Sequence, residues 1–270
     1  MSDSNVLLFE KEGSIAWLKL NRPDKLNSLN TDLLKALLNA CEAIKQDKAI
    51  RLAIIIGAGA RAFCAGADLT ERKGMNEAQV IDYHTLIQKT FQTIDELPVP
   101  TIAALNSSAF GGGVELSLCC DLRIMVEDSI FRLTEVRLGI IPGAGGTQRL
   151  PRLIGKSKAK EMILTTKALT AKEAYDIGLV HRVIRGMDFG DGDFHLGLIN
   201  NVRSWAKEII QAAPLSLEQA KYAIDKGYEC DLDSGLAIET KAYLKLLNTQ
   251  DRLEGLKAFA EKREPVYQGR

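Results

Sequence analysis

Two short apolar runs, Leu52–Ile56 (LAIII) and Thr101–Leu105 (TIAAL), constrain this chain's fold more than any other feature. Neither has the polar alternation of a strand with one wet face. Runs this short, apolar and β-branched read as strands buried on both sides, the pattern of a mostly parallel sheet covered by helices. Helical periodicity lies before and between them. Leu33, Leu34, Leu37, Leu38, Cys41 and Ile44 recur at helical spacing from a cap at Asn30 or Thr31 to Gln46, and a second helix spans 77–97, ending at PVP. Two β-type runs, Asn5–Phe9 and Ser14–Leu20, open the chain, and a further strand is expected over Asp121–Val126. Strands alternating with helices predict an α/β fold with short crossovers.

Beyond Gly155 the signal changes. One strand is expected over Leu179–Ile184, a glycine-rich break over Arg185–Gly192, and helices alone from 196 to 262. The expected division is an α/β core over residues 1–190 and a helical region over 191–270.

Thirty-five basic side chains balance thirty-five acidic ones, so no global field draws the protein to nucleic acid or an anionic membrane. The five cysteines, two of them adjacent and none in a CxxC pair, read as buried thiols in a reducing compartment. The opening MSDSNVLLFEKEG is acidic and lacks the apolar run of a signal peptide, and no stretch is apolar enough to span a bilayer. A cytoplasmic location is expected, or the mitochondrial matrix if a transit peptide has been removed. His84, His181 and His195 have no partners at ligand spacing, so no metal site is expected. GAGARA (57–62) runs into another small-residue loop where a dinucleotide site would need a long helix.

Two loops hold the chemistry. Ala62–Leu69 (AFCAGADL) and Asn106–Leu116 (NSSAFGGGVEL) each follow a buried strand, where open α/β sheets bind ligands, and their small residues let backbone approach closely. Gly111–Gly113 opens a helix whose free N–H groups face that loop. A thioester on its way to an enolate needs two N–H donors on its oxygen, and one from each loop would supply them. Glu115 lies in the first turn of the glycine-opened helix, and Glu135 precedes a third glycine cluster that introduces another helix. Either glutamate alone reads as a surface residue. Beside ligand loops, the pair can activate water and deliver a proton to carbon.

FCAGADL (63–69), NSSAFGGGVELSLCCDLRI (106–124) and TEVRLGIIPGAGGTQRLPRLIG (134–155) closely resemble the enoyl-CoA hydratase/isomerase (crotonase) superfamily, and the resemblance runs on to DRLEGLKAFAEKREPVY (251–267). FCAGADLTER and IIPGAGGTQRLPRLIGKSKAKE look like the methylglutaconyl-CoA hydratase (AU-binding) branch, and short-chain enoyl-CoA hydratases share much of both. The resemblance implies a crotonase-like ββα spiral core with a C-terminal helical region for trimerisation, as a trimer or dimer of trimers. It implies hydration of an enoyl-CoA thioester, short-chain or 3-methylglutaconyl-like, with no cofactor beyond the coenzyme A of the substrate. By position it assigns Ala67 and Gly112 as oxyanion donors, Glu115 to activate water and Glu135 to supply the α-proton. Lys25, Leu26, Ala65, Gly66, Asp68, Leu69 and Gly111 fall where the family contacts CoA or substrate. Phe259 and Lys262 match positions that reach coenzyme A, often from a neighbouring subunit. The family's usual Asn-Gly before the glycine loop is Asn106-Ser107 here.

Keeping both glutamates favours hydration over isomerisation, the alternative reading within the family. Arg72, just past the first loop, could pair with a distal substrate carboxylate or simply lie on the surface. RNA binding by the Lys35, Lys45, Lys48 and Arg51 row is a further alternative, diluted by Glu42 and Asp47. A non-catalytic assembly subunit would predict degenerate carboxylate positions, and both are intact.

Overall fold

In a computed structural model describing residues 5–185 and 194–270, the apolar runs do form a sheet. Strands β1 (Leu7–Glu12) and β2 (Ile15–Leu20) make a hairpin about Gly13. From β2 the sheet continues through β3 (Leu52–Gly57), β4 (Thr101–Leu105), β6 (Leu122–Val126) and β9 (Arg182–Ile184) in the order β1-β2-β3-β4-β6-β9. Every pairing but the hairpin is parallel. Successive side chains of a strand point to opposite faces, and here both faces are buried. Ala16, Leu18, Ala53, Ile55, Ala103 and Leu105 enter one core; Trp17, Ile54, Ile102, Ala104 and Ile124 enter the other.

Helices α1 (Thr31–Gln46) and α3 (Glu77–Asp95) cover the first face. The Asn30 side chain accepts from the Leu33 N–H, making Asn30 the cap of α1. The second face is covered by α8 (Phe194–Ile210), whose Leu198, Val202 and Trp205 pack on the strands. Thus the first helix beyond residue 190 belongs to the sheet's packing. The expected glycine break over 185–192 and the division at 190 lie largely outside the described residues. The next helices, α9 (Pro214–Gly227), α10 (Leu232–Leu246) and α11 (Gln250–Glu261), expose Ile224, Tyr228, Leu232, Tyr243, Leu256 and Phe259.

Three details differ from the expectation. The first strand runs over 7–12, not 5–9, because its register with β2 continues to Glu12 opposite Ile15. An edge strand tolerates the polar Glu10–Glu12 end. A second small sheet, β5 (Ala109–Phe110), β7 (Ile130–Arg132) and β8 (Leu169–Thr170), was not expected. Strands of two or three residues carry too little periodicity to register. Finally, Glu135 begins a short 3₁₀ turn, Glu135–Leu138, that was not expected; helix α5 (Gly146–Ile154) does follow the third glycine cluster, and α6 (Lys156–Thr165) and α7 (Ala171–Asp176) come after it.

Asn106 locks the ends of β3 and β4 together. Its Oδ1 accepts from the Gly57 N–H at 3.0 Å and its Nδ2 donates to the Gly59 carbonyl at 2.6 Å. Ser107 is not among the positive-φ residues, so the place the family gives to glycine needs none here. Asn106→Ala leaves the buried Gly57 N–H without an acceptor. It is expected to cost about 1–3 kcal/mol in a denaturant titration; an unchanged midpoint would show that the lock is idle.

Candidate active site

The two loops meet because glycine allows it. A side-chain carbon on Gly113 would lie 2.1 Å from the Cys64 carbonyl oxygen, closer than any real carbon sits. Phe110 N–H donates to that same carbonyl, and Phe63 N–H donates to Ser108 O, so the loops run side by side. Leu29 pairs with Ala67 in a parallel bridge, bonding to the flanking residues: Leu29 N–H to Gly66 O, and Asp68 N–H to Leu29 O. In such pairing the central residue's own N–H points away. Gly112 is the first residue of α4 (Gly112–Leu118), where N–H groups have no helical acceptor. Among the described residues neither the Ala67 nor the Gly112 N–H has a protein acceptor. A carbon built on Gly112 would fall 3.6 Å from the Ala67 nitrogen, so the two donors are neighbours.

Both carboxylates border this spot. Glu115, in the first turn of α4, is buried, and its Oε1 accepts from the Ala144 and Gly146 N–H groups, each at 2.8 Å. Burial pushes its carboxyl up to about 7; the two N–H donors and Arg149 oppose that, while Glu135 adds to it. Glu135 lies against Gly111, where an added carbon would be 3.0 Å from its Oε1. Both of its oxygens are buried with no hydrogen-bond partner among the described residues. Burial raises this carboxyl too; the nearby backbone N–H groups of Glu135 and Thr134 offset part of that without closing hydrogen bonds.

Of the other expected residues, several gather here by backbone. Ala65 N–H donates to Leu26 O, joining the first loop to the turn after Lys25, which is exposed. Gly66, at φ 88°, has the Phe110 carbonyl 2.8 Å from where its side chain would start. Leu69 is exposed. Asp68 is buried with its side chain fully engaged: Arg22 and Ser28 bond one oxygen, and the Thr70 and Glu71 N–H groups of α2 (Leu69–Arg72) bond the other. Its side chain is therefore a helix cap and ion-pair partner, and its backbone is engaged as well, the N–H by Leu29 O and the carbonyl by the Arg72 N–H. Phe259 and Lys262 are not brought to the loops. Phe259 is 87% exposed, and Lys262 caps the end of α11. Arg72 lies 5.8 Å from the Tyr83 ring centre, and Tyr83 donates to Leu29 O. No group of three or more potential metal ligands exists among the described residues.

Sequence reasoning passed over Ala144 and Gly146, whose N–H groups hold Glu115. The PGAGG string was visible only as a glycine cluster; what its backbone holds follows from the fold.

The comparisons with known proteins agree with one another. The family described as enoyl-CoA hydratase/isomerase matches residues 10–270. Human mitochondrial methylglutaconyl-CoA hydratase is 44% identical over 262 residues, 97% of this chain and 76% of that protein. A short-chain-enoyl-CoA hydratase of Clostridium acetobutylicum is 40% identical over 264 residues, 98% of this chain and 97% of that one. The crystal structure of an enoyl-CoA hydratase from Bacillus anthracis superposes with a TM-score of 0.93 at 45% identity, covering 98% of this chain and 100% of that chain.

Gly111 has φ 50°, which strains any side chain, and a carbon added there would also crowd the Glu135 carboxyl. Gly111→Ala is expected to unfold about 1–3 kcal/mol more easily and to abolish turnover of whatever substrate the site takes. Wild-type stability and activity in that variant would contradict the close contact.

Proposed function

Because the chain belongs to the enoyl-CoA hydratase/isomerase family, we propose that it adds water across the α,β double bond of an enoyl-CoA thioester. The observation carrying this is the pair of acceptor-free N–H groups at Ala67 and Gly112, flanked by two buried carboxylates. The thioester oxygen accepts from both N–H groups. Ionised Glu115 takes a proton from water as the water oxygen bonds to Cβ. The double-bond electrons move to the thioester oxygen as an enolate, which the two donors stabilise. Protonated Glu135 then gives its proton to Cα, and the thioester carbonyl reforms. The weakened acidity of both carboxyls suits this division: Glu115 titrates near neutral pH, and burial favours the neutral form of Glu135.

No cofactor beyond the coenzyme A of the substrate is invoked. Lys25, Leu26, Ala65, Asp68 and Leu69 line the approach for the nucleotide and pantetheine. Phe259 and Lys262, remote from the loops in one chain, are assigned to a neighbouring subunit's ligand. The exposed apolar residues of α9–α11 fit a trimer or dimer of trimers, since patches this apolar are normally covered. No helix among the described residues is long and apolar enough to cross a membrane. Four of the five thiols are buried and none is bridged, which suits the cytoplasm or the mitochondrial matrix.

The acyl group is proposed as short or 3-methylglutaconyl-like. Arg72 is half-buried beside the first loop with no carboxylate in ion-pair contact among the described residues, which leaves it available for an acid at the far end of the acyl chain. The RNA-binding reading is weakened by the row itself: Lys45 pairs with Glu42, and Arg51 donates to the Tyr267 carbonyl.

Glu115→Gln and Glu135→Gln should each lower crotonyl-CoA hydration by about 10²–10⁴-fold with binding of a saturated CoA ester retained. Near wild-type turnover in either variant would overturn the two-carboxylate mechanism. Because Glu115 must be ionised to act as base, the wild-type rate should rise with pH through a limb at about 7, and that limb should vanish in Glu115→Gln. A kcat/KM comparison of crotonyl-CoA with 3-methylglutaconyl-CoA, in wild type and Arg72→Ala, tests the acyl group: loss confined to the acidic substrate supports Arg72.

A further inference from the structure

The peptide unit between Gly143 and Ala144 is bonded at both ends. Its N–H donates to Glu115 Oε1 at 2.8 Å. Its carbonyl accepts from Gln88 Nε2 at 3.0 Å and lies 3.1 Å from His84 Nε2. A carbonyl oxygen can only accept, so His84 carries its proton on Nε2. The imidazole fits because residue 143 is glycine: an added carbon there would stand 2.9 Å from His84 Nε2.

The second peptide serving Glu115 is arranged alike. Gly146 N–H donates to Oε1, and the carbonyl of that unit, Gly145 O, accepts the Gln148 and Arg149 N–H groups that begin α5. Donors on a peptide's oxygen polarise the unit and strengthen what its N–H can give. One of the two donors to Glu115 is therefore backed by a helix terminus, and the other by two side chains of α3.

Those side chains sit four residues apart on one exposed face of α3, while Tyr83, Ile87 and Phe91 pack in the core. Asp95, further along the same helix, holds Arg149, whose Nη1 donates to the Ala144 carbonyl. So α3 grips the loop on both sides of the bond to Glu115.

We propose that His84 and Gln88 are positioning residues for the hydration step, acting through the Gly143–Ala144 peptide to fix and acidify the Glu115 carboxyl. The proposal rests on the reading of Glu115 as the base that activates water. The charged groups that face Glu115 from the surrounding elements are Glu135 from the 3₁₀ turn and Arg149 from α5. Neither is altered when the α3 donors are removed.

The test combines His84→Ala with Gln88→Ala. On crotonyl-CoA the double variant should lose about tenfold in kcat with KM close to wild type, and the limb assigned to Glu115 should move to higher pH. His84→Gln, which returns an amide donor near the place of Nε2, should recover most of the loss. Gln88→Glu keeps the size of the side chain but sets an acceptor against the carbonyl, and should shift the limb upward even if the double variant folds poorly. Infrared titration of the Glu115 carboxyl, assigned by its absence in Glu115→Gln, reads the same shift without substrate. An unmoved carboxyl titration, or a loss confined to KM, would overturn the proposal. If the wild-type protein hydrates no enoyl-CoA, the functional reading fails, and the infrared shift still decides the linkage.

Discussion

The site depends on one contact: the backbone of Gly113 against the carbonyl of Cys64, with 2.1 Å where a side-chain carbon would stand. Any other residue there would push the start of α4 away from the first loop. The Ala67 and Gly112 N–H groups would then no longer be neighbours, and Glu115, two residues along in the same helical turn, would leave its two donors. The sheet beneath makes this contact possible, because β3 and β4 pair in register and release their loops at the same end. Asn106 ties those ends before the chain becomes irregular.

Around this contact the protein sets two carboxyls in different surroundings. Glu115 is buried but held by N–H groups, and burial still wins, leaving it near neutrality. Glu135 is buried with no hydrogen-bond partner among the described residues, so its neutral form is favoured. Two like groups separated in environment can act as base and acid at one pH. The donors that hold Glu115 come from a loop with little side-chain bulk of its own. Its rigidity is lent by α3 through His84, Gln88 and the Asp95–Arg149 pair.

Much of this was legible beforehand. The buried strands were plain because both faces of the sheet are covered, so apolar runs had no alternation to hide. The glycine clusters marked the loops, and the order of motifs marked the family. Side-chain tasks that cross the fold were not legible. His84 looked like a lone histidine lacking metal partners, since its acceptor is a carbonyl 59 residues away. Asp68 looked like a ligand contact, and the structure occupies its carboxylate with Arg22 and the α2 cap. The strands of the small sheet were too short to show a period.

The central claim is that the Ala67 and Gly112 N–H groups receive a thioester oxygen. It is tested most directly by the vibrational spectrum of a bound, unreactive saturated acyl-CoA, isotope-labelled at the thioester carbonyl. Two donors on that oxygen weaken the C=O bond, so its stretch should fall well below that of the free ester. The shift should shrink in Gly112→Pro, which removes one N–H at a helix position where proline is tolerated. A bound ester whose carbonyl vibrates as it does in water would contradict the account.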